Sequence, residues 1–366
     1  MQNFSFFMPT KMVFGQGVVK QAGKSLALGK KALIVTGESS ARLSGALDDV
    51  LAVLPGEYVI FDQVENNPTL DTVAKGGQLA RSERCDYVIA IGGGSPLDAA
   101  KVMAVLAVNE KEPLELYESG WEREALPLVA IPTTAGTGSE VTQYAVLTLE
   151  EAQTKKSVGG PDLFPRVAYL DPTYTESLSV QITNDTAVDA LSHLVEGFLS
   201  RRATSASDFV ALQGIAIWGT AISALRKGEI PLETREALLL ASSLGGITIA
   251  QTGTTLVHAL GYPLTFFHDL PHGRANGLLM KSYLEYISKV APDRVETVLE
   301  LLDLPSIEAF GELMDDLFAD YVGKLHVPAE RIKFYAERAM QTNNIANSLG
   351  NPSVEELTKI LEANIL

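Results

Sequence analysis

The chain has 366 residues, 46% of them apolar and 20% charged. That composition suits a soluble globular protein and excludes a disordered one. A formal net charge of −16 argues against nucleic acid, whose binders neutralise phosphates with clustered Lys and Arg. The single cysteine, Cys85, makes neither an internal disulfide nor a thiolate metal cage, so any metal must rest on carboxylates and the five histidines.

The length predicts two domains. Residues 1–11 lack the basic start, long apolar centre and cleavage site of a secretion signal. Residues 237–250, the most apolar longer stretch, are too short to span a bilayer. A cytoplasmic protein without membrane partners is expected. The first half reads as α/β. Short apolar runs at residues 32–36, 87–91, 128–131 and 167–170 each end in turn residues, as strands buried on both faces do. Helical periodicity fills residues 69–84 and 96–107 between them, which predicts a parallel sheet wrapped by helices. After Pro172 the strand signals stop. Residues 185–199, 205–226 and 233–249 read as long helices. The boundary is set at 175/176, with a fixed, cleft-forming pair of domains expected.

Two turns stand out. Residues 91–98 (IGGGSPLD) join a buried strand to a helix. Glycines there allow close backbone approach, and free N–H groups with the helix dipole form an anion site that fits a pyrophosphate. The run matches neither the spaced dinucleotide fingerprint nor a P-loop, and a plain tight turn is the alternative. Residues 131–140 (IPTTAGTGSE) follow another strand and are rich in hydroxyls and glycine. Such turns beside one another fit a ligand beyond the carboxyl ends of a sheet.

Asp189 and His193 are spaced to share one helix face. His258 and His272 lie on the next helical hairpin, where Pro263 and Pro271 are expected to break the chain. Together the four offer one carboxylate oxygen and three imidazole nitrogens, a set that suits Fe²⁺ or Zn²⁺ with a position left for substrate. The competing reading is a coincidental Asp/His pair and a core histidine. His326 reads as surface or structural, and His268 as intermediate.

The chain resembles the iron-containing (group III) alcohol dehydrogenase family. The likeness is carried by residues 92–101 (GGGSPLDAAK), 132–142 (PTTAGTGSEVT), 188–196 (VDALSHLVE), 258–261 (HALG) and 271–276 (PHGRAN). It implies a Rossmann-like dinucleotide-binding domain over residues 1–175 and an all-helical metal-binding domain over 176–366, with nicotinamide cofactor and catalytic metal in the cleft. By position, Gly93, Gly94, Ser95 and Asp98 would hold the pyrophosphate and nearby ribose. Thr133, Thr134 and Thr142 would line the nucleotide path, and Lys155 would reach a ribose hydroxyl. Asp189, His193, His258 and His272 would be the metal ligands. The implied reaction is reversible hydride transfer between a small primary alcohol or diol and its aldehyde, in a homodimer whose segment Asn3–Phe7 pairs across two chains as an edge strand.

Two positions depart from the family. Tyr262 stands where many members carry a proton-transferring histidine, leaving His268 or a metal-bound water for that task. Gly37 stands where NAD-preferring members carry an Asp that accepts from the ribose 2′-OH and repels a 2′-phosphate. With Ser39 and Ser40 as donors, NADP(H) is expected over NAD(H). The alternative activity is a maleylacetate-type or hydroxyacid-oxoacid reductase on the same scaffold, for which Arg274 is the one nearby basic candidate.

Overall fold

The computed structural model describes residues 3–321, 325 and 327–365. His326 lies outside them. The chain divides into two compact units: Met8–Leu178, and the residues from Ser179 onward with the N-terminal residues up to Phe7.

The first unit opens with β1 (Lys11–Phe14), α1 (Val18–Ala22), β2 (Lys31–Gly37), α2 (Ser40–Leu43), α3 (Ala46–Val53) and β3 (Glu57–Val64). It continues with α4 (Leu70–Ser82), β4 (Tyr87–Gly92), α5 (Gly94–Leu106), β5 (Leu128–Pro132), the antiparallel hairpin β6 (Tyr144–Leu149) and β7 (Thr154–Gly159), and β8 (Val167–Leu170). Six strands form a sheet in the order β1-β8-β5-β4-β2-β3, parallel at every pairing. Side chains alternate across it. Leu33, Val35, Val88, Ala90 and Ala130 join a core with α4 and α5. Ala32, Ile34, Ile89, Ile91, Val129 and Ile131 join a second core with α1 and α3. Strands covered on both faces read as unbroken apolar runs, which is why β2, β4, β5 and β8 were legible. The chain lays β3 outside β2, then returns to place β4 on the other side of β2. The strand order reverses there, and the carboxyl ends of β2 and β4 become the natural place for a ligand.

The second unit is helical: α6 (Val180–Phe198), α7 (Ser205–Gly219), α8 (Ile222–Lys227), α9 (Leu232–Thr252), α10 (Leu256–His268) and α11 (His272–Ile287). Then follow α12 (Pro292–Leu301), α13 (Ile307–Leu317), α14 (Ala329–Ala339), α15 (Asn343–Asn347) and α16 (Val354–Ile365). α6 is the hub, packed by α7, α9 and α11. Trp218 on α7 donates to the Ala187 carbonyl at 2.7 Å, a bond across the α6–α7 contact. Phe7 exchanges two hydrogen bonds with the Gln251 side chain of α9, at 3.0 and 2.9 Å. That amide mimics a strand partner, and residues 3–7 form no strand.

Three expectations need correction. α6 starts at Val180, ahead of residue 185, because Ser179 accepts from the Ile182 N–H and caps it there. Pro263 does not break its helix and sits inside α10. The break comes at Asp269, in the left-handed region at φ 52, followed by Pro271. Among the described residues, Ser205–Lys227, rather than residues 237–250, is the stretch long and apolar enough by length and composition to cross a membrane. It is two helices, interrupted at Thr220 and Ala221, with α7 packed on α6 and α9.

Candidate functional site

The ligand candidates all come from the helical unit. On α6, Asp189 and His193 are one turn apart, buried at 4% and 5% exposure. His258 lies in the first turn of α10, and His272 opens α11. Their donor atoms converge. His258 Nε2 lies 3.0 Å from His193 Nε2, and His272 Nε2 lies 3.9 Å from Asp189 Oδ1. One donor atom each from Asp189, His258 and His272 falls within 4.8 Å of the others. The His272 side chain is 24% exposed, so the cluster opens on its side. Close approach at Gly273 makes this possible. A Cβ there would sit 1.8 Å from the Asp185 carbonyl oxygen and 2.9 Å from Asp189 Cβ. A carboxylate oxygen and two imidazole nitrogens grouped this closely, with His193 Nε2 against His258 Nε2, are donors that suit a divalent transition metal, and the residues fit such an ion.

Behind the donors is a carboxylate that the sequence reading gave no role. Glu196 follows Asp189 and His193 along the same face of α6 and is fully buried. One oxygen binds His258 Nδ1. The other accepts from the Thr255 N–H at 2.8 Å, the Thr255 hydroxyl at 2.7 Å and the Val257 N–H at 3.2 Å. Burial by itself would raise this carboxyl, but its contact with His258 and the hydrogen bonds from Thr255 hold it below the usual range. A charged acceptor at Nδ1 places the imidazole proton there and leaves the Nε2 lone pair toward the cluster.

Tyr262 stacks on the His272 ring, centroids 5.6 Å apart and planes 11° apart, and stands edge-on to His258. His268 points elsewhere. Its Nε2 lies 2.9 Å from the Tyr335 hydroxyl. Arg274 is held by Asp185 at 2.9 Å and Asp320 at 3.7 Å, with Phe318 and Tyr321 against its guanidinium. It serves as a buried tie between α11 and α6.

The other candidates lie at the carboxyl edge of the sheet. Gly92, at φ 149, ends β4, and Gly93 precedes α5 with no side chain capping the helix. The N-terminal N–H groups of α5 are thus left for an anion. The second turn packs on the first. Thr133 N–H donates to the Gly92 carbonyl at 2.9 Å, and a Cβ on Gly94 would meet Thr137 at 2.5 Å. The Thr133 hydroxyl is buried with no protein partner. An orphaned buried hydroxyl beside an uncapped helix start fits a polar nucleotide. Gly37 ends β2 beside Pro96, and the Ser39 side chain makes no cap bond. Ser95 Oγ accepts from the Asn67 N–H at 3.2 Å. Lys155 lies on β7, opposite Thr148. Asp98 and Thr142 are engaged inside the protein. Asp98 accepts from the Ser139 hydroxyl at 2.5 Å and the Val146 N–H at 2.9 Å. Lys101, also unassigned by sequence, donates to Ser139, Thr142 and the Tyr144 carbonyl at 2.8, 3.1 and 2.7 Å. Burial lowers its amine to about 8, against the opposing pull of Asp98 and Glu140. The Asp98–Lys101 pair, one helical turn apart, fastens the second turn and β6 to α5.

Comparison with known proteins agrees with this architecture. Residues 9–172 match the family described as iron-containing alcohol dehydrogenase, and residues 183–365 match the C-terminal part of that family. A choline dehydrogenase of Bacillus subtilis is 32% identical over 96% of this chain and 92% of its own. An NADPH-dependent butanol dehydrogenase of Clostridium saccharobutylicum is 30% identical over 85% of this chain and 81% of its own. The crystal structure of an iron-containing alcohol dehydrogenase of Thermotoga maritima covers 99% of both chains, with a TM-score of 0.91 and 39% identity. The chain belongs to the iron-containing alcohol dehydrogenase family. It is an oxidoreductase, in a family that uses a nicotinamide nucleotide and iron.

Two outcomes follow from this geometry. Gly273→Ala forces α11 away from α6, and should cost about 3 kcal/mol in urea unfolding together with loss of bound metal. Lys101 carries its proton in folded and unfolded chains alike below about pH 8. Between about 8 and the ordinary 10.5 the folded chain has released a proton that the unfolded chain keeps, so this group's contribution to stability rises with pH. In Lys101→Met that rise is lost. Unfolding at about pH 7 and about pH 10 should show the difference shifting in favour of the wild type at the higher pH.

Proposed function

We propose that this chain catalyses reversible hydride transfer between NADP(H) and a small primary alcohol or diol and its aldehyde. Asp189, His193, His258 and His272 hold the divalent ion, Fe²⁺ with Zn²⁺ as a substitute. The observation that carries the reading is the convergence of donor atoms from Asp189, His258 and His272, with His193 Nε2 3.0 Å from His258 Nε2 and the His272 side chain partly exposed. When bound, the ion supplies Lewis acidity, which lowers an alcohol's pKa and polarises a carbonyl. The chain's own residues do the rest. Glu196 holds the His258 tautomer, and Tyr262 holds the His272 ring flat against its own. The alcohol proton leaves to solvent on the open side, since His268 is engaged with Tyr335. Choline and butanol, named for two relatives, are both primary alcohols.

For the nucleotide, Gly93, Gly94 and Ser95 at the start of α5 take the pyrophosphate, Thr133 and Thr134 line its path, and Lys155 reaches the ribose. Asp98 and Thr142 serve by fixing the second turn. Gly37 supports the NADP(H) preference, because no acid there repels a 2′-phosphate, and Ser39 and Ser40 can donate to one. We place the enzyme in the cytoplasm as a homodimer.

The test profiles short alcohols, diols and aldehydes on iron-reconstituted protein with both cofactors. A kcat/KM at least tenfold higher with NADP(H) is expected, and an NAD(H) advantage refutes the preference. His272→Ala should lose most bound metal and about a thousandfold or more in rate. Elemental analysis showing full metal content in that variant overturns the ligand assignment.

A further inference from the structure

We infer that Asn276 is a positioning residue of the ion site. Its carboxamide orients the Asp189 carboxylate and keeps an uncharged donor against the ligand atoms. This rests on the ligand assignment proposed above. Asn276 lies one turn after His272 on α11, fully buried. Its Nδ2 faces four groups: Asp189 Oδ1 at 3.2 Å, His258 Nε2 at 3.3 Å, His272 Nε2 at 3.4 Å and Ser192 Oγ at 3.5 Å. An amide nitrogen has only two protons, too few for four acceptors. The count closes when an ion takes the two imidazole lone pairs. Asp189 Oδ1 and Ser192 Oγ then remain, one for each proton. Ser192 is ready to accept, because its own hydroxyl proton goes to the Asp189 carbonyl at 2.7 Å.

The other end of the amide supports this. Asn276 Oδ1 is buried without a hydrogen-bond partner. It lies where a Cβ on Gly261 would come within 2.3 Å, so the glycine makes room for it. An unpaired buried oxygen is costly, and turning the amide over would set that oxygen against the lone pairs of Asp189, His258 and His272. The fold accepts the unpaired oxygen and keeps the N–H groups on the ligands. It also keeps the donor set at one negative charge, that of Asp189, so a divalent ion there retains net positive charge toward an alkoxide.

The experiment measures Zn²⁺ and Co²⁺ affinity of the full-length, chelator-stripped protein by competition with a chromophoric chelator, and records the visible spectrum of the Co²⁺ form. Asn276→Leu, close in volume but without the amide, should lose about tenfold or more in affinity and shift the cobalt bands. Its metal-free melting temperature should stay at or above that of the wild type. Asn276→Asp, which supplies a second carboxylate, should bind both ions more tightly than the wild type, and it decides the matter if the Leu variant does not fold. Affinities within about twofold of wild type and an unchanged cobalt spectrum in the folded variants overturn the role of Asn276 while leaving the ligands standing. A wild type that takes up no stoichiometric ion overturns the ligand assignment itself, and this inference with it.

Discussion

The helical site depends on one buried charge. Glu196 has no access to water, and a carboxylate in that position is tolerable only if its lone pairs are filled. They are filled by the start of α10 and by His258. The same group therefore stabilises the free N–H groups of a helix end, fixes an imidazole tautomer and sets where Nε2 points. Removing it takes the acceptor from the Thr255, Val257 and His258 N–H groups and from the ring proton in the interior, so the beginning of α10 and the geometry of His258 stand or fall together.

The sheet unit solves a related problem with a different pair. Lys101 and Asp98 are both drawn out of water, and neither faces it alone. Ser139 bridges them, while Thr142 and the Tyr144 carbonyl complete the lysine. Asp98 and Thr142, which family likeness places on the nucleotide path, are here held in internal hydrogen bonds, and in the proposed site they would be its scaffold. Affinity for a dinucleotide at the proposed site would then depend on preorganised N–H groups and hydroxyls, with little call on net charge, which is how an acidic chain could hold an anionic ligand.

What could be read from sequence follows the covering of each element. Strands buried on both faces announced themselves, whereas β1 and β3 run along the sheet edges and carry exposed polar positions that dilute the signal. Asp189 and His193 were legible as a pair because helical spacing is local. His258 and His272 needed the turn at Asp269 to bring them back, and sequence put the break at Pro263 as well, although a helix interior accommodated that proline. Glu196 and Asn276 stood inside the motifs that were singled out, at the spacings that share a face with Asp189 and with His272. Nothing in a Glu or an Asn on a helix distinguishes a solvated side chain from one sealed against a ligand, since that depends on packing from α10 and α11. Arg274 shows the converse: a basic residue next to a ligand invited a role with anionic substrates, and Asp185 and Asp320 claim it.

All four ligand candidates belong to a single compact unit, drawn from α6, α10 and α11. An ion held there would join α6 to the α10–α11 hairpin, which the backbone links to α6 only through α7, α8 and α9, and its binding free energy would add to the folding free energy of the unit that holds the ligands. The ion then acts as a conditional staple. Metal supply would then bear on how long the unit that holds the ligands survives unfolding and proteolysis, so scarcity of metal would be felt as turnover of the protein as well as loss of rate.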